Sequence, residues 1–235
     1  MQDNYINYLI NNYSKKLIHK FKKKQPRFDI VFEAGLFNGS YQMGFLKYIH
    51  ELEKRNLISI HRLSGSSVGS IVALCYFFKD NISHHCEVLG NKLYTNMKKR
   101  KTINIFNELG QYFKNYLPHD IIQQINNRLY ITYHNVKTGR QHVKHTYTDI
   151  DDLLDTIRKS CAIPFVIDNS ILYKNTYFDG LYPYMFKPTK NIRIINLNIV
   201  NIEKIAKMFS IRNENTNTKR ILEGIIDTHQ FFTTH

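Results

Sequence analysis

A chain of 235 residues with 43% apolar side chains is long enough to bury one sizeable core and too short for two domains of ordinary size. A formal charge of +14, from 33 Lys and Arg against 19 Asp and Glu, predicts attraction to a polyanion, and charge alone does not choose between nucleic acid and an anionic lipid surface. The longest unbroken apolar run, Ile71 to Phe78, is far below the ~20 residues of a membrane-spanning helix, and three cysteines, Cys75, Cys86 and Cys161, fit neither a disulfide framework nor a zinc site.

The first segment sets Ile6, Ile10, Tyr13, Leu17 and Phe21 three or four residues apart, with Lys and Asn opposite, as an amphipathic basic helix does. Such a helix either lies on a membrane surface or packs its stripe on the domain that follows. The stretch lacks the apolar core and cleavage site of a secretory signal, and the cysteine pattern points to a reducing, intracellular compartment, with a peripheral membrane position open to the protein. Pro26 ends the helix and divides the chain into a basic amphipathic helix over 1–27 and one domain over 28–235.

Phe28-Asp29-Ile30-Val31-Phe32 is β-branched and aromatic and reads as a strand. Gly35 to Gly39 follows as a turn, and Tyr41 to Arg55 places Tyr41, Phe45, Ile49 and Leu52 on one helical stripe. Ile58 to Leu63 alternates as a strand does and runs into Gly65-Ser66-Ser67-Val68-Gly69, after which Ser70 to Phe78 forms an apolar helix. Strand, tight turn and helix in succession are the units of an α/β sheet with helices on both faces. Asp80 to Tyr116 reads as a helical insertion, with Ile103, Phe106, Leu109 and Phe113 at helical spacing. Strands return at Leu129 to His134 and His142 to Tyr147, joined through Lys137-Thr138-Gly139-Arg140. Asp149 to Lys159 is a short helix capped by Thr148 or Asp149, Ile192 to Val200 an alternating strand, and the remainder largely helical.

Chemistry concentrates at Gly65-x-Ser67-x-Gly69, between a predicted strand and a predicted helix. The glycines let the backbone turn sharply and project the Ser67 hydroxyl over the end of the sheet, as a nucleophile requires. The earlier loop, Gly35, Leu36, Phe37, Asn38 and Gly39, also joins a strand to a helix, where backbone N–H groups can hold an oxyanion during acyl transfer. A phosphate loop is the competing reading, but neither G-x-G-x-x-G spacing nor a G-K-[ST] ending is present. Asp179-Gly180 is by itself a common turn pair. His84-His85-Cys86 falls in a polar loop, and His142 and His145 face opposite sides of a strand, so neither set is a metal site. Ser67, Asp179 and His229 run in the Ser, Asp, His order of the α/β-hydrolase triad, which makes His229 an alternative partner.

Together these motifs resemble the patatin-like phospholipases, which follow a Gly-rich loop with a G-x-S-x-G elbow and, late in the domain, a D-G-[GA] motif. Ser67 matches the nucleophile and Asp179-Gly180 the Asp-Gly pair. Lys159-Ser160-Cys161-Ala162-Ile163-Pro164 looks like the run that precedes that Asp, and Leu117-Pro118 and Thr138-Gly139 also fall at family-like positions. The resemblance covers Phe28 to about Pro188. Two positions depart from it. The loop, usually G-G-G-x-[KR]-G, has lost a glycine and its basic residue, and D-G-G is Asp179-Gly180-Leu181.

The resemblance implies a three-layer α/β/α patatin-like domain with a central, mostly parallel sheet. It implies hydrolysis of a lipid acyl ester, of phospholipase A or lysophospholipase type, by a Ser67–Asp179 dyad without histidine, metal or other cofactor. The N–H groups from Gly35 to Gly39 would form the oxyanion hole. Triacylglycerol hydrolysis or acyl transfer on the same dyad is the nearest alternative, and a catalytically weakened lipid-binding protein the next. The expected partners are a phospholipid or other acyl lipid and, from the basic clusters Lys15 to Lys24 and Lys98 to Lys101, an anionic membrane surface; nucleic acid rests on charge alone.

Overall fold

A computed structural model of the chain describes residues 2–21, 25–35, 39–78, 82, 84–85, 88–92, 105–164, 170–197 and 214–234. Four parallel strands, β1 (Arg27–Phe32), β2 (Ser59–Ser66), β3 (Leu129–Asn135) and β6 (Ile192–Leu197), lie in the order β3-β2-β1-β6. β4 (Arg140–Lys144) returns antiparallel along β3 after a turn in which Gly139 takes φ 63°. A two-residue strand, β5 (Tyr177–Phe178), also pairs with β3. The sheet is therefore mostly parallel, as expected, and helices flank it.

Helix α2 (Gly39–Lys54) crosses from β1 to β2, and α3 (Val68–Cys75) leaves β2 toward β3. The remaining helices are α1 (Gln2–Phe21), α4 (Ile105–Tyr116), α5 (Ile121–Ile125), α6 (Ile150–Ser160) and α7 (Glu214–Thr234). Asp149 caps α6, its side chain accepting the Asp152 N–H at 2.8 Å. Phe28, Ile30, Val31 and Phe32 of β1 are all buried, which explains a run apolar without alternation: a parallel strand covered on both faces has no wet side. Asp29 is buried in the same strand, and Arg62 of β2 holds it with Nη2 and Nε at 2.5 and 3.1 Å while His61 Nδ1 stands at 3.0 Å.

The stripe of α1 turns inward. Ile6, Ile10, Leu17 and Phe21 are buried in the common core, and α1 contacts α2 and α7. Of the two roles open to this amphipathic helix, packing on the domain is what the apolar face performs. Between α2 and α7 the backbones nearly touch: a Cβ on Gly44 would stand 2.1 Å from the Ile221 carbonyl oxygen, and one on Gly224 2.2 Å from that of Tyr41. Gly44→Ala should therefore force the two helices apart and destabilise the fold by about 2–4 kcal/mol, read as a lowered thermal midpoint.

The structure corrects several local expectations. β2 continues to Ser66 because Ser64, Gly65 and Ser66 pair with Tyr130, Ile131 and Thr132. β4 stops at Lys144, because the His145 carbonyl accepts from the Asn127 N–H and the Tyr147 N–H turns to the Asn126 side chain. His84 and His85 are helical and not in a polar loop; the buried His85 ring stacks 4.1 Å from Phe78 and meets the Tyr112 hydroxyl at 2.7 Å. Lys22 to Lys24, Cys86, Lys98 to Lys101, Ile103 and the end of the predicted strand after Leu197 lie outside the described residues. Among the described residues no helix is long and apolar enough to cross a membrane.

Candidate active site

Ser67 stands where β2 ends and α3 begins, at the carboxyl edge of the parallel sheet, the side on which open α/β sheets bind ligands. Its φ is 51° and ψ −131°, a conformation that costs a residue with a side chain on the order of 1–3 kcal/mol. The strain thus falls on the serine and not, as expected, on the glycines. Among the described glycines, Gly139 is the one with positive φ. Gly65 and Gly69 supply space instead: a Cβ on Gly65 would stand 2.5 Å from the Gly69 carbonyl oxygen, and one on Gly69 2.5 Å from that of Phe32.

Asp179 arrives by a change of partner along β3. His134 and Asn135 pair with β4 on one edge of β3 and with β5 on the other, the edge that β2 occupies as far as Thr132. When β2 turns away at Ser66, β5 takes over the vacated edge and carries Asp179 to the elbow. The Ser67 hydroxyl donates to Asp179 Oδ2 at 2.8 Å. Both side chains are buried, at 3% and 5% exposure. Burial pushes the Asp179 carboxyl up to about 7, against the opposing pull of the Ser67 hydrogen bond.

Residues 30–185 match the patatin-like phospholipase family. The chain belongs to this family. Two curated relatives are omega-hydroxyceramide transacylases. The chain is 22% identical to that of Homo sapiens over 169 residues, covering 67% of this chain and 32% of that protein. It is 23% identical to that of Mus musculus over 141 residues, covering 57% and 23%. It therefore spans about a third or less of the length of these relatives.

In this patatin-like domain the run Lys159 to Pro164 has a geometric purpose that spacing did not reveal. Ser160, the last residue of α6, is buried, and its Oγ accepts the Ser67 N–H at 2.9 Å while its carbonyl accepts the Gly180 N–H at 2.8 Å. One residue thus ties the backbone of the strained serine to the loop bearing the aspartate. His134 Nδ1–H donates to the Asp179 carbonyl at 2.9 Å. Gly180 has no room for a side chain, since a Cβ would lie 2.0 Å from the Thr132 carbonyl oxygen. The Ser70 hydroxyl donates to the Ser67 carbonyl at 2.6 Å. Burial, and after it the Asp179 charge, pushes the neighbouring Cys161 thiol well up, so it stays protonated beside the pair.

Of the predicted oxyanion loop, Leu36, Phe37 and Asn38 lie outside the described residues. Gly35 is buried after β1, and Gly39 is already the first residue of α2, not part of a turn. A Cβ on Gly39 would stand 2.9 Å from Val68 Cγ2, so the amino end of α2 abuts the residue that follows Ser67. Gln42 Nε2 braces the loop by donating to the Glu33 carbonyl at 2.6 Å. His229 is elsewhere. Its ring stacks 4.3 Å from Tyr13 of α1, and its Nδ1 meets the Tyr48 hydroxyl of α2 at 2.8 Å. Among the described residues no group of three or more His, Cys, Asp or Glu is placed to hold a metal ion.

Proposed function

We propose that the chain hydrolyses acyl esters of phospholipids or lysophospholipids with Ser67 as nucleophile and Asp179 as general base and acid. The observation that carries this is the buried 2.8 Å hydrogen bond from a strained serine to a carboxyl that titrates near neutrality. Asp179 takes the Ser67 proton as Oγ attacks the acyl carbonyl, and the carbonyl π electrons move to the oxygen, forming the tetrahedral oxyanion. Its collapse breaks the ester bond, and the departing alkoxide takes the proton from Asp179, leaving an acyl-serine. Water then attacks with Asp179 again as base; the fatty acid leaves and the serine regains its proton. The N–H groups of the Gly35 to Gly39 stretch are the oxyanion donors in this scheme, supported by the amino end of α2 beside Val68. The Ser67 N–H is engaged by Ser160.

A lipid hydroxyl replacing water in the second half would make the same acyl-serine a transacylase intermediate, and the similarity to two transacylases supports this second reading. Residues 28–235 are the catalytic unit in this scheme, with the segment 1–27 packing α1 (Gln2–Phe21) against it. The buried free thiol of Cys161 supports work inside the cell. Incubation with a mixed lipid extract distinguishes the readings: hydrolysis releases free fatty acid, transfer yields a newly acylated lipid, and no change in any acyl lipid would sink both.

Ser160→Ala removes the acceptor that holds the Ser67 N–H and leaves a buried donor unmatched. The expected result is a kcat lowered about 10–100-fold with KM nearly unchanged, and slower fluorophosphonate labelling, since a 1 Å misplacement costs about this much. An unchanged kcat in a folded variant would make Ser160 a purely structural residue.

A further inference from the structure

We infer that Leu181, Tyr182 and Met185, with Val143 beside them, are the surface by which the protein docks on an anionic lipid interface, a reading that rests on lipid acyl hydrolysis at Ser67. Their exposures are 48%, 70%, 52% and 37%. Clustered apolar exposure of this kind marks an interaction site. Leu181 follows Asp179 by two residues, a span of about 7 Å at most, so the group begins at the rim of the site.

The backbone beneath them is held in place. The Tyr182 carbonyl accepts from Thr132 Oγ1 at 2.6 Å and from Gln141 Nε2 at 2.5 Å. Tyr184 stacks 5.2 Å from Tyr130, Phe186 packs edge-on to the same ring at 5.1 Å, and the Arg62 guanidinium lies 4.4 Å over Phe186. The inward residues thus anchor the segment to β3 and β4 and leave Leu181, Tyr182 and Met185 outward. Val143 pairs with Thr132, which puts it on the face that Tyr182 covers.

Charge selects the occupant. The two stretches that build this face, 128–148 and 180–197, contain no Asp or Glu and carry the exposed cations Lys137, Arg140, Lys187 and Lys190. An apolar tip in a cationic field matches an anionic bilayer, with the side chains among the acyl chains and the cations among the head groups. The apolar stripe of α1, the other candidate for insertion, is buried in the core.

The test is co-sedimentation of the full chain with vesicles of phosphatidylcholine alone and of phosphatidylcholine with phosphatidylglycerol. The wild type should bind the anionic vesicles and release them as salt rises. The variant L181D/Y182D/M185D should bind at least about tenfold more weakly while keeping its circular dichroism and thermal midpoint, and K187E/K190E should weaken binding and flatten its salt dependence. Equal binding by wild type and L181D/Y182D/M185D would overturn the inference. So would a wild type that ignores anionic vesicles, or a wild-type dimer that the same variant splits while vesicle binding survives. Wild-type labelling by a soluble fluorophosphonate without lipid tests the Ser67 reading separately, so the two failures are distinguishable.

Discussion

Ser67→Ala should lower turnover on any acyl ester substrate by about 10⁴–10⁶-fold, the range seen when a nucleophile is removed from a serine hydrolase. Without Oγ no acyl-serine forms, and fluorophosphonate labelling should vanish with the activity. Ser66→Ala is the control. Ser66 lies on β2 and makes no hydrogen bond to Asp179, so activity and labelling should largely survive. The Ser67→Ala protein should remain folded, because Ser160 holds its backbone through the N–H and not through the lost hydroxyl. Equal labelling of wild type and Ser67→Ala would remove the proposed mechanism at its root.

Asp179→Asn should be nearly as damaging, since asparagine keeps the size and an acceptor for the hydroxyl but cannot take its proton. A loss of at least about 10³-fold in kcat is expected. His229→Ala should retain most activity and lose stability instead, because it removes the ring stacked on Tyr13 and bonded to Tyr48. An inactive but folded His229→Ala would restore the triad. In the wild type the base must be ionised, and its carboxyl sits near 7. Activity should therefore fall about tenfold per pH unit below that value and level off above it.

Stability should move the other way with pH. A carboxyl whose pKa is raised in the fold is favoured there when protonated, so its stabilising contribution is full below the unfolded carboxylate range and is lost as pH rises through about 7. At pH 8 the wild type carries a buried ionised Asp179. Asp179→Asn removes that cost and should be more stable by on the order of 2 kcal/mol at pH 8, with the advantage shrinking toward pH 5. Thermal midpoints of both proteins at the two pH values test this, and a pH-independent difference would place the Asp179 titration elsewhere.

The strand–turn–helix units around Gly35 to Gly39 and Gly65 to Gly69, and the order Ser67, Lys159 to Pro164, Asp179-Gly180, were readable from the chain by itself. The units are local, each needing only a hydrophobic period, a turn residue and a neighbouring element within about 20 residues, and the motif order is read along the chain without any contact being known. The mostly parallel α/β sheet followed from those units, and so did the family. Strand β1 was legible for the same reason, as a β-branched and aromatic run of the right length, whereas its burial on both faces was seen only in the sheet.

Which partner Ser67 takes was decided by tertiary structure, because Asp179 lies 112 residues away and His229 stood in an equally permissible order. The choice is made by β5, which at two residues has no period to detect and exists only because β2 vacates an edge of β3. Equally invisible were the positive φ of Ser67, the bridge that Ser160 makes from α6, and the direction in which α1 turns its apolar stripe. An apolar stripe says only that something must cover it. Here the close contact of α2 with α7 through Gly44 and Gly224, and the packing of α1 against both, supply the cover. A backbone conformation of this kind persists only where surrounding hydrogen bonds over-determine it, and those bonds join residues far apart in the chain.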